Sequence, residues 1–165
     1  MQNIPREKRR NISSLCSRMC DEYDSQNLDK FLLDNSFLVP NAILGLKTLI
    51  TMNGSENVFI VSRASNVERL VNRRLFVIHN FYEMTGLLPM NIFFVDLCAE
   101  KAEVCRRLSV QGHIDDRGEV HYNLRGVVPN LVWFSPSKGD VSRWTQELSP
   151  HVIRVSGWRD LISML

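Results

Sequence analysis

Three apolar runs limit what this chain can fold into. Val58-Phe59-Ile60-Val61, Asn91-Ile92-Phe93-Phe94-Val95 and Asn130-Leu131-Val132-Trp133-Phe134 place apolar residues on consecutive rather than alternate positions. Strands of that kind are buried on both faces, as in parallel sheets. Helical spacing fills the intervals. Pro40 suits a helix start, and Ala42, Ile43, Leu46, Leu49 and Ile50 follow at helical spacing until Asn53-Gly54-Ser55 breaks the pattern. Ser65 or Asn66 can cap a helix carrying Val67, Leu70 and Val71 to about Asn80, and Glu100 to Leu108 presents Ala102, Cys105 and Leu108 on one face.

The C-terminal third continues the alternation. Gly112 to Asp115 reads as a short strand, and Glu119 to Arg125 as a short helix ended by Gly126. After the Asn130 strand come a helix from Val141 to Leu148, an edge strand from His151 to Val155 and a closing helix from Trp158 to Leu165. Strand and helix in turn predict an α/β fold: a parallel, Rossmann-like sheet with helices on both faces, over residues 39–165. Residues 1–38 carry no clear period and read as an irregular or partly helical segment, with a helix expected near Ile12 to Met19.

Length agrees with one domain, since 165 residues are too few for two comfortable ones. The net charge of +2 sits at the front. Arg6, Lys8, Arg9 and Arg10 against Glu7 give the first ten residues +3, which leaves −1 for the rest. The domain itself is therefore not a basic nucleic-acid binder, and the arm reads as a solvated tail rather than an RNA contact. No apolar run approaches the roughly 20 residues of a membrane span. The polar N-terminus has no core resembling a signal peptide, so a cytoplasmic protein with no membrane partner is expected. Cys98 and Cys105 read as core residues; Cys16 and Cys20 lack the further ligands of a structural zinc site.

In parallel sheets of this type, ligands bind outside the carboxyl ends of the strands. Ser62, Asp96, Asp115, Asp116 and Ser135 follow or end the expected strands. Adjacent carboxylates such as Asp115 and Asp116 repel and need a compensating cation, and Mg²⁺ takes hard oxygen ligands. The same pair can also be a helix cap with a solvated neighbour. Ser62 offers a hydroxyl to a phosphate oxygen or caps a helix. Lys101 stands in a first helical turn, where the dipole disfavours a cation, or is a surface lysine. A hydroxyl, a cation and a carboxylate pair on one sheet edge are what phosphoryl transfer requires.

In that order, Val58–Ser62, Lys101 and His113-Ile114-Asp115-Asp116-Arg117 resemble the second, third and fourth motifs of the haloacid dehalogenase (HAD) superfamily. The stretch from Asn80 to Gly86, with Pro89 and Asn91, resembles small bacterial members, and the resemblance covers about residues 38 to 135. It implies a HAD-like core with a minimal cap or none, and a phosphoric monoester hydrolase acting on a small phosphorylated molecule. Ser62 would bind phosphoryl oxygens, Lys101 would hold nucleophile and phosphate by charge, and Asp115 with Asp116 would position Mg²⁺.

One motif of that family is not recognisable. It should be an apolar strand followed by Asp-x-Asp, upstream of Pro40, whose first aspartate is the nucleophile. Asp21 and Asp24 follow no apolar strand. Phe31-Leu32-Leu33-Asp34 has the run, but position 36 is serine. The sequence therefore leaves two expectations: a Mg²⁺-dependent phosphohydrolase-related domain, or a non-catalytic HAD-like binding or regulatory protein.

Overall fold

The computed structural model describes Asp29, Lys30, Asp34 and residues 39–165. Helix α1 spans Ala42–Asn53, and a 3₁₀ turn, Ser55–Asn57, leads into strand β1, Ile60–Arg63. Helices α2 (Asn66–Ile78) and α3 (Phe81–Thr85) and a second 3₁₀ turn (Pro89–Asn91) precede β2, Ile92–Val95. Then follow α4 (Glu100–Arg107), β3 (Gly112–Asp115), α5 (Gly118–Leu124) and β4 (Asn130–Phe134). Helix α6 (Lys138–Leu148), β5 (Val152–Val155) and α7 (Trp158–Ile162) complete the chain. The α/β alternation is as expected. The expected helix from Ile12 to Met19, Cys16, Cys20, Asp21, Asp24 and the basic arm lie outside the described residues.

Every ladder is parallel, but the single expected sheet is two. β1 pairs with β2, Ile60 opposite Ile92. β3, β4 and β5 form the second sheet, with Gly112 opposite Asn130 and Leu131 opposite Val152. No ladder joins β1 to β3. The consequence appears in burial. Ile60 and Val61, expected to be buried on both faces, are only half-buried, because β1 has a neighbour on one side alone.

Local chemistry fixes where β1 begins. The Asn91 amide donates to the carbonyl of Ser55 at 2.8 Å and to that of Val58 at 3.0 Å. A side chain thus takes the Val58 carbonyl, and the ladder starts at Ile60. Ser62, expected to follow the strand, is therefore its third residue. The helix start lies further on. Ser65 caps α2 in a reciprocal box with Glu68, each satisfying a backbone N–H of the other.

Helices cover both faces. On one, Phe81, Leu87 and Ile92 form a cluster joined by Ile43, Leu46 and Ile50 of α1 and by Ile60 and Phe94. Phe93 alternates to the other face, where the Arg107 guanidinium of α4 lies 5.9 Å from its ring centroid. The three-stranded half has a tighter core. Cys105, Val120, Leu124, Val128 and Leu131 pack between α4, α5 and the sheet. Each such aliphatic side chain contributes about 1.5–3 kcal/mol of burial. On the opposite face Phe134 meets Trp158 of α7 at 5.2 Å, and Trp158 in turn packs onto Gly45 of α1. Helices α1 and α4, on opposite faces, thus each reach from one sheet to the other. No described helix is long and apolar enough to cross a membrane.

Candidate functional site: a buried lysine–aspartate pair

Lys101 is the second residue of α4, and Asp115 is the last residue of β3. Their side chains, 8% and 9% exposed, meet with Nζ 2.6 Å from Oδ2. The second carboxylate oxygen, Oδ1, accepts the backbone N–H of Arg117 at 2.9 Å. Periodicity explains the rest of the cluster. His113 lies two residues before Asp115 on the same face of β3, and Cys105 lies one turn after Lys101. His113 Nε2 stands 3.6 Å from Asp115 Oδ2, an electrostatic contact beyond hydrogen-bond reach, and His113 Nδ1 is 3.8 Å from the Cys105 Sγ.

Burial by itself would raise the Asp115 carboxyl. The imidazole of His113, the Lys101 ammonium and the Arg117 N–H overcome it, and hold the group well below the usual carboxylate range. Lys101 is the only one of the two side chains in hydrogen-bonding geometry with the carboxylate, so it is the main counter-charge.

His121 completes the centre from α5. It is fully buried, and its Nε2 lies 3.0 Å from the Asp115 backbone carbonyl. A carbonyl only accepts, so Nε2 carries the proton, and Nδ1 is left buried without a partner among the described residues. Burial pushes the His121 pKa down, against the opposing pull of the Asp115 carbonyl and charge. A base whose folded pKa is lowered binds fewer protons folded than unfolded. Its stability contribution is then full above the ordinary imidazole value of about 6.5 and falls as the pH drops below it. Equilibrium unfolding should therefore weaken from pH 7 to pH 5, and His121→Gln, which keeps a donor, should flatten that slope.

Asp116 points elsewhere. Its backbone carbonyl accepts the Trp133 indole N–H at 3.1 Å, while its side chain is exposed. Burial by neighbouring atoms, then the charges of Asp115 and Asp140, push its carboxyl upward. Asp140 is committed to α6: it bonds the Ser137 hydroxyl and the Gly118 N–H. A raised carboxyl pKa costs stability once the group ionises. Asp116→Asn should accordingly raise the denaturation midpoint near neutral pH, and that gain should vanish below about pH 4, where the carboxyl is protonated in both states.

The remaining strand-end residues are not drawn into this centre. Ser62 pairs in the ladder with Phe94, and no hydrogen bond or ion pair joins it to Lys101 or Asp115. Asp96 binds Arg69 at 2.5 Å, and Ser135 is a left-handed residue whose N–H donates to the Val155 carbonyl. Asp34 is helical and exposed. Of the four residues singled out from the sequence, Lys101 and Asp115 come together, while Ser62 and Asp116 stand apart from the pair. His113, His121 and Cys105 were not singled out. The i,i+2 spacing to Asp115 and the i,i+4 spacing from Lys101 were the available signals for two of them.

Mg²⁺ would require Asp115 as a free hard ligand. Both of its oxygens are already engaged, and a dication on Oδ2 would face an ammonium bound to the same atom. Among the described residues no three His, Cys, Asp or Glu side chains are grouped to hold a metal. As arranged, these residues do not fit the ion.

A groove of about 680 Å³, lined by residues of α1 and α3 including Ile43, Leu44 and Met84, opens away from the charged centre. Compared with family models, with curated proteins and with solved structures, the chain matches none.

Proposed function

We propose that this domain is a HAD-like binding or regulatory module for a small phosphorylated molecule, without turnover of its own. The observation that carries the reading is the closed Lys101–Asp115 pair. A lysine that neutralises a neighbouring carboxylate 2.6 Å away is not available to hold a nucleophile and a transferring phosphoryl group. Ser62, on the neighbouring sheet, supplies a hydroxyl toward a phosphate oxygen. The test is phosphate release from a panel of phosphomonoesters with Mg²⁺ present. No release above background is expected; turnover that disappears in Lys101→Ala would overturn the reading.

The exposed Asp116 carboxylate favours a second reading, the Mg²⁺-dependent phosphohydrolase. Its raised pKa reflects uncompensated negative charge, which a cation would relieve. On that reading Mg²⁺ raises the thermal midpoint of the wild-type protein and leaves Asp116→Asn unmoved. On the binding reading Mg²⁺ moves neither.

A further inference from the structure

The two sheets end on open edges that belong to one interrupted sheet. Helix α4 packs on β1 and β2, and its Lys101 and Cys105 reach Asp115 and His113 of β3. A helix with its side chains is about 10–12 Å wide, a little over two strand spacings. One helix touching β2, β1 and β3 together therefore spans a row with a single position open between β1 and β3. On the other face α1 reaches from the Ile60 and Ile92 cluster to Trp158, which rests on β4. The open position is roofed on both sides.

Topology gives the same position. β1 to β2 steps outward in one direction, and β3 to β4 to β5 steps outward in the other, so the winding reverses at the gap. If the gap counts as the first strand, the row reads third, second, first, fourth, fifth, sixth, the order of doubly wound dinucleotide-binding sheets. A two-stranded sheet is marginal alone, and parallel strands need both faces covered and their edges paired.

The occupant has to be an apolar strand, since both faces of the position are helix-covered. Residues 1–28 contain no three consecutive apolar residues. The one longer run, Phe31-Leu32-Leu33, is bracketed by Asp29, Lys30 and Asp34, all helical, and Asp29 is tied to α2 by Arg74 at 2.6 Å. We infer that the gap between β1 and β3 is a strand-accepting slot, filled in parallel by an extended apolar segment from outside these 165 residues. Main-chain hydrogen bonds would supply the affinity, as in other strand additions. This inference does not depend on either functional reading above.

The probe is a synthetic peptide, Val-Ile-Phe-Val-Ile preceded by lysines, added to the full chain and followed by amide hydrogen exchange. The expected result is at least about tenfold slower exchange at β1 and β3 together, because one strand in the slot bonds both edges. A peptide with proline at its centre, which cannot donate there, should give none. Protection at β1 alone, at the outer edges β2 or β5, or nowhere would overturn the inference. So would edges of β1 and β3 already protected in the free protein, which would mean the slot is filled from within.

Discussion

Lys101→Met should destabilise the domain by about 3–5 kcal/mol, the usual cost of removing one partner of a buried ion pair. Methionine keeps most of the packing volume, so the loss reports the charge. Asp115 would keep its burial, the Arg117 N–H and the His113 contact, but not the ammonium that neutralises it. Its pKa should then climb, and the variant should become more stable as the pH falls toward the carboxylate range. The wild-type protein should behave oppositely. Its folded Asp115 pKa is depressed, so this contribution is present above the unfolded value of about 4 and is lost only as the pH falls toward the folded one. Urea denaturation of Lys101→Met, Asp115→Leu and the double variant gives the coupling directly. The double variant should recover most of the loss, because an apolar pair of similar volume is often neutral. Equal loss in the double variant would show that Lys101 matters through packing alone.

Gly45→Val should cost about 1–3 kcal/mol, the range for overpacking a tight contact. A Cβ at this position would lie 2.0 Å from the Trp158 ring, and the ring is itself held against Phe134. The indole cannot retreat without leaving β4. The expected signature is a lowered thermal midpoint with a changed tryptophan emission. Gly45→Val combined with Trp158→Leu should recover stability relative to Gly45→Val alone. Gly139→Val is the control, since a Cβ there meets only the Ser137 hydroxyl at 3.8 Å.

What the sequence disclosed followed its physical causes. Strand β4 matches its apolar run residue for residue, because Asn130 to Phe134 is buried between two paired neighbours and nothing nonlocal competes. β1 is displaced because Asn91, far along the chain, captures the Val58 carbonyl. That shift moved Ser62 from a helix-start position into the ladder. Pairing between strands was the least legible feature: apolar runs announce burial, but not which edge remains open. In the charged centre, Lys101 and Asp115 were each visible as unusual placements. Their attachment to one another was not, because the resemblance gives each a different ligand. Cys105 and His113 were readable only by combining helix and strand periods across two elements.

The uneven distribution of the core has a further consequence. Val120, His121, Leu124, Leu148, Cys105 and Trp133 are nearly or fully buried, and all belong to α4 or to elements after it. In α2, seven of thirteen residues are apolar, yet none is fully buried. The chain is thus two cooperative units of unequal strength joined along α4 and through the Gly45–Trp158 contact. The segment from α4 onward should hold its amides to the global unfolding limit, while the β1–β2 half opens below it. α4 belongs to both, so the first partly open form of the molecule keeps the Lys101–Asp115 pair intact.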